Sequence, residues 1–285
     1  MMATSPPLVS PKQLLGMLLA HTYADDARLP HTACGLRKAW EYSHPPFRHT
    51  SNNKWNGFFR GAWPKFQFYK KLQMADPNIQ GILENLLACA LEPDFVDPSF
   101  WNERVGLIRV RDQRLSPFSN DFMNLVCRPP HWKKLFILIS ALRTDSTQYA
   151  LHREWVKKNL AYYICLCTVF SPLWDVRREF FSLVNALRLP RGLLMHEVWG
   201  WFEEFEDYEA VVVLMHEMIG CIRSCSFSNV PNDEVLNIVW RMSDDTKILR
   251  HWVMSGRSYE SLNLTKKKIL EWREDIDPGV RIEAW

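Results

Sequence analysis

Glycine is scarce in this chain, with 11 among 285 residues. None of them builds a GxGxxG or Walker-type loop, so the backbone cradles that hold dinucleotides and nucleoside triphosphates are excluded. No uncharged apolar run approaches the ~20 residues that cross a bilayer as a helix, so no membrane span is expected. There is no G-x-S-x-G nucleophile elbow. The seven cysteines are odd in number and lack framework spacing, which is read as reduced thiols in a cytosolic or nuclear setting. Strong charge is absent too: the formal net charge of +3 is too small to argue for nucleic acid by itself. The opening residues contain an apolar run at 14–20, but prolines precede it and only Lys12 flanks it. It is not read as a cleaved signal peptide.

What is present is apolar and aromatic. Hydrophobic residues make up 47% of the chain and charged residues 24%, enough for a sizeable core. Apolar residues recur at three and four along most of the sequence, which predicts helices at about 12–21, 33–42, from Pro77 onward, and at 132–142, 147–170, 173–189, 206–225, 233–255 and 259–274. Asp97-Pro98, Ser171-Pro172 and Asn232-Asp233-Glu234 carry the caps and acids of helix starts. The best strand candidate is VGLIRVRDQRL at 105–115, where apolar and basic residues alternate. The expected fold class is all-α: an irregular helical bundle with at most a small β element. Its organisation is a flexible arm at 1–11, an N-terminal lobe at 12–115 and a C-terminal helical lobe at 116–285, with a seam near 116–130.

The stretch LLMHEVWGWFEEFEDYEAVVVLMHEMIGCIRSC (193–225) holds L-M-H-E twice and two cysteines, which raises metal chemistry. A zincin needs H-E-x-x-H, and neither His196 nor His216 has its second histidine. A di-iron bundle needs Glu three residues before each histidine, and those positions are Leu193 and Val213. On one helix, Cys221 and Cys225 lie about 140° and 180° around from His216, so the three cannot converge. The segment reads as a buried helix with cysteines as small hydrophobes. Cys127 and His131 are separated by a proline pair and do not suggest a thiol nucleophile. No metal ligand, catalytic residue or cofactor is assigned.

The most informative region is 47–72. Phe47, Trp55, Phe58, Phe59, Trp63, Phe66, Phe68 and Tyr69 are interleaved with Arg48, Lys54, Arg60, Lys65, Lys70 and Lys71. Aromatics among bases can stack nucleobases while neutralising phosphates, can anchor a protein partner within a polar rim, or can pack as a subcore. Gly57, Gly61 and Pro64 favour an irregular loop, and loops carry binding more often than packed elements do. The candidate partner-binding residues are Phe47, Trp55, Phe58, Phe59, Arg60, Trp63, Lys65 and Phe66. A secondary basic patch is Arg104, Arg109, Arg111 and Arg114.

The stretch ENLLACALEPDFVDPSFW places Ala90-Leu91 ahead of Pro98-Ser99-Phe100, and YEAVVVLMHEMIGCIR (208–223) is an acid-containing apolar run that ends in an arginine. Together they resemble the nonstructural NSs proteins of phlebovirus-like viruses (phenuiviruses). The Trp-Pro and Gly usual in the first motif are missing, Pro93 is displaced by one, and the acidic tail of some members is replaced by RIEAW. The resemblance implies a virulence factor without catalytic activity that binds host proteins and blunts interferon induction, signalling or translational shut-off, in the host cytoplasm or nucleus.

The leading expectation is therefore a non-enzymatic intracellular interaction protein, its helical scaffold presenting the aromatic-basic stretch to a host protein; homo-oligomerisation is compatible with it. An RNA-binding nucleoprotein-like module is the first alternative. A metal- or thiol-dependent enzyme is the second.

Overall fold

A computed structural model describes residues 7–43, 52–75, 82, 86–93, 97–110, 113–187, 189, 195, 200–224 and 231–242. The fold is all-α, with a single two-stranded hairpin among the described residues. Most of the helix expected from Pro77, all of the one at 259–274 and the part of 233–255 beyond residue 242 lie outside the described residues.

The chain forms two compact units. The first comprises Met1–Phe95, Phe170–Arg188 and Gly192–Met195, and the second comprises Val96–Val169, Leu189–Arg191 and His196–Trp285. This grouping differs from the division at 115/116 expected from the sequence: the first break falls at 95/96, and residues 170–188 return to the unit that contains the N-terminus.

In the first unit, α1 (Pro11–Asp26) is the central element. The Ser10 hydroxyl accepts from the Gln13 N–H at 3.3 Å, and Gln13 Oε1 accepts from the Ser10 N–H at 2.8 Å, a reciprocal cap with Pro11 at the first helical position. The arm expected at 1–11 thus ends earlier: Pro11 is buried, and the Leu8 N–H donates to Ser182 Oγ at 2.8 Å. Leu14, Leu15, Leu18 and Leu19 are all buried. Around α1 pack α2 (Ala33–Ser43), α3 (Asn52–Phe59), the single turn α5 (Leu87–Ala90), a 3-10 turn (Trp174–Val176) and α10 (Arg177–Asn185). α4 (Phe66–Ala75) follows α3. Ser171-Pro172 does not cap a helix at 173 as expected. Ser171 Oγ instead donates to Asp175 Oδ2 at 2.6 Å, and the helix starts at Arg177.

In the second unit, α6 (Pro98–Leu107) opens as the sequence predicts: Asp97 accepts from the Ser99 N–H at 2.9 Å, with Pro98 at the first position. The helix runs through the first part of the stretch expected to be a strand. Trp101, Val105 and Ile108 are buried at steps of four and three, so helical spacing prevails over the apolar-basic alternation. Only β1 (Arg109–Val110) and β2 (Gln113–Arg114) pair, antiparallel. α7 (Asn120–Cys127) follows. Every residue of α8 (Leu135–Arg143) is buried, as an apolar-all-round helix must be. It packs against α6 and against α9 (Ala150–Thr168), which in turn meets α11 (Phe205–Ser224) and α12 (Asn232–Met242). Thr168 Oγ1 and Tyr208 Oη lie 2.7 Å apart and tie α9 to α11 through a buried hydroxyl pair.

Candidate functional site

The aromatics of 52–72 divide into a core and a rim. Trp55, at 0% exposure, stacks on Tyr23 (centroids 6.0 Å apart, planes 8° apart) and meets Phe58 and Phe68 edge-on at 5.5 and 5.6 Å. Trp40 closes the group, 4.8 Å from Phe68. Of the residues expected to touch a partner, Trp55 is interior and has no face to offer, while Phe58, also buried, shows only an edge to the cleft described below. The reason is their spacing on α3, three apart on the side turned to α1 and α2. Phe59 is half-buried and its ring meets His21 edge-on at 5.0 Å. Arg60 is exposed beyond the end of α3. The side chain of Phe66 and all of Phe47 lie outside the described residues.

Trp63 and Lys65 remain at the surface, and they line a cleft of about 650 Å3 between α3 and α4. Phe58 and Phe68 contribute its apolar wall, Asn53 and Gln67 its amides, and Lys54, Lys65 and Lys71 its charge; no carboxylate is among the described lining residues. Lys54, Phe68 and Lys71 belong to the aromatic-basic stretch but were not among its candidate partner-binding residues. Lys54 Nζ sits 3.2 Å from the Phe68 ring centroid, a cation–π contact. Partial burial, and then the Lys71 and Lys65 ammonium groups, push the Lys54 pKa down. The two neighbouring ammonium groups add to a shift whose larger cause is burial.

The turn that shapes this cleft is set by two glycines. Gly61 has φ +84°, a left-handed conformation, and the backbone of Gly61–Ala62 lies directly on Gly16 of α1. The secondary basic patch is not one strand face. Arg104 lies on α6 with its guanidinium 4.9 Å over Phe100, while Arg109 and Arg114 face each other across the hairpin. Arg111 is outside the described residues.

In the His-Glu region, His216 is exposed on α11 and its Nδ1 lies 3.3 Å from the Val169 carbonyl oxygen; His196 and Cys225 lie outside the described residues. Burial pushes the Cys127, Cys165 and Cys167 thiols up, away from the thiolate a nucleophile requires. His131 does not activate Cys127. Its Nδ1 accepts from the Lys133 N–H at 3.0 Å and caps a 3-10 turn.

A second cluster, in the first unit, was not assigned from the sequence. His21 from the last turns of α1, His31 from the loop after it, and Asp175 from the turn before α10 bring one ligand atom each to a common point. His21 Nδ1 and His31 Nδ1 are 3.0 Å apart, and Asp175 Oδ2 is 3.5 and 3.3 Å from them. His31 Nε2 lies 2.8 Å from Asp25 Oδ1. Burial pushes the His21 pKa down, and Asp175 opposes the shift. Among the described residues this is the one grouping of three or more potential metal ligands. The sequence hinted at it only through His21 and Asp25, one helical turn apart.

No protein-family model, no curated protein and no solved structure matches this chain.

Proposed function

We propose that this chain is a non-enzymatic interaction protein that grips an acidic segment of another protein in the cleft between α3 and α4. The observation that carries the reading is the lining: three lysines beside a wall of Phe58, Phe68 and Trp63, with no carboxylate among the described lining residues. An acidic segment with an aromatic or aliphatic residue would meet both kinds of surface, charge at the rim and apolar contact within. The buried, electrically unfavourable thiols of the second unit add support, since they suit packing rather than catalysis. In line with the resemblance to phlebovirus-like NSs proteins, the partner is a host protein of interferon induction, interferon signalling or translational control. Capture of that protein in the host cytoplasm or nucleus would blunt the response.

A second reading, RNA binding, is favoured by the same lysines beside Trp63, which could stack a base. One experiment separates the two. The full chain is titrated by fluorescence anisotropy with a Glu/Asp-rich peptide containing one tyrosine, and with an oligouridylate, for wild type and for the triple charge reversal K54E/K65E/K71E. Peptide binding that the reversal removes supports the acidic-segment reading. Oligouridylate binding with a log–log salt slope near about −2, the value for three neutralised phosphates on a single strand, favours RNA. Binding of neither probe, or binding unchanged by the reversal, rejects the cleft.

A further inference from the structure

We propose that His21, His31 and Asp175 form a binding site for a zinc-class divalent metal ion, with Asp25 as the outer partner of His31. The argument begins with protons. If the His31 Nε2–H donates to Asp25 Oδ1, 2.8 Å away, a neutral His31 has a bare Nδ1. That nitrogen faces His21 Nδ1 at 3.0 Å and Asp175 Oδ2 at 3.3 Å. One proton on His21 Nδ1 can serve one of these two acceptors well, and the other is left lone pair to lone pair. Three acceptor atoms within 3.5 Å of one another therefore call for something positive between them.

The spacing selects the cation. Bonds of about 2.05 Å to imidazole nitrogen and carboxylate oxygen in a tetrahedral site put neighbouring ligand atoms about 3.3–3.4 Å apart, whereas an octahedral arrangement of similar bonds brings them to about 3.0 Å. The observed edges are 3.0, 3.3 and 3.5 Å. An ion about 2.05 Å from all three atoms would stand about 0.8 Å out of their plane, close to the ~0.7 Å of an ideal tetrahedron. Two further features belong to metal sites. A ligating histidine hands its other N–H to a carboxylate, and the ligating carboxylate is itself hydrogen-bonded; Asp25 plays the first part and Ser171 Oγ, donating to Asp175 Oδ2 at 2.6 Å, the second. The side chains of His21, His31 and Asp175 are 12%, 27% and 25% exposed, so the ion has an entry path and water can take the fourth position. Such an ion would fasten the end of α1 to the turn at 174–176, joining the two longest chain segments of the first unit.

The test uses the full chain, stripped with a chelator and titrated with Co2+ and then Zn2+. Wild type takes up one equivalent of Co2+ with the intense visible bands of a tetrahedral centre, and Zn2+ displaces it. D175N and H31Q lose this uptake. D25N keeps the stoichiometry with an affinity about 10–100-fold weaker, the usual cost of removing an outer partner. Far-UV circular dichroism and melting in chelator show that the exposed substitution D175N leaves the fold unchanged. Absence of a tetrahedral Co2+ spectrum from wild type overturns the proposal, as does uptake that survives in both D175N and H31Q. If the cluster holds only a shared proton, the histidines titrate without any stoichiometric metal, and the proposal likewise fails.

Discussion

Gly16 and Gly61 are in backbone contact: a Cβ on Gly16 would lie 2.9 Å from the Gly61 carbonyl oxygen, and a Cβ on Gly61 would lie 2.7 Å from Gln13 Cβ. The crossing holds the α3–α4 connection on α1, and with it the cleft. Gly61→Ala adds left-handed strain to the clash, since its φ is +84°. Each substitution is expected to cost about 1–3 kcal/mol, read as a lower urea midpoint, with Gly61→Ala the worse of the two.

Trp55 and Trp63, eight positions apart and alike by sequence, should separate cleanly. Trp55→Ala empties a fully buried aromatic position and should cost about 3–5 kcal/mol in chemical denaturation. Trp63→Ala, at the half-exposed rim of the cleft, should leave the midpoint within about 0.5 kcal/mol, as surface changes usually do, and weaken binding of the acidic peptide.

That contrast marks how far the sequence was legible. Helix existence was readable, because Asp97-Pro98 signs a start and the three-and-four recurrence through 150–168 and 205–224 fixes a face. Burial within 52–72 was not. Gly57, Gly61 and Pro64 break the period just where it would have told Trp55 from Trp63, and only the docking of α3 on α1 and α2 decides it. The 105–115 stretch was half legible: both short strands fall inside it, but Trp101, Val105 and Ile108 keep helical spacing and carry α6 through its first residues. The histidine cluster was out of reach because Asp175 joins it from a distant segment. Its neighbour Ser171 resembles a helix cap and is occupied instead with Asp175.

Acid should act through His131. Burial, and then the Lys133 and Lys134 ammonium groups, push its pKa down to about 4, and its Nδ1 must stay unprotonated to accept from the Lys133 N–H. In the unfolded chain the ring titrates near 6.5. The folded form thus binds fewer protons in this window, so the stabilisation is fully present above about 6.5 and is lost as pH falls toward about 4, by a total on the order of 3 kcal/mol. His21 and His152 are shifted the same way, so the readout is a difference. His131→Asn keeps a capping side chain without the titration. Its urea stability should fall less steeply than that of wild type between pH 6.5 and 4.

Thiol labelling should follow exposure. Cys34 is exposed, Cys89 and Cys221 are half-buried, and Cys127, Cys165 and Cys167 are interior with raised pKa values. A maleimide pulse on the native chain, read by peptide mass spectrometry, should modify Cys34 first. The three interior thiols should react only after denaturant is added.

The first unit is completed by residues 170–188, and α1 rests on both the turn at 174–176 and α10. A ribosome therefore releases α1 on the order of ten seconds before its last neighbours are made. Until the turn at 174–176 and α10 arrive, that flank of the nascent helix is greasy and uncovered, a natural landing place for a chaperone. A fragment cut at residue 95 would keep this bare flank permanently, and would precipitate instead of folding as a freestanding module.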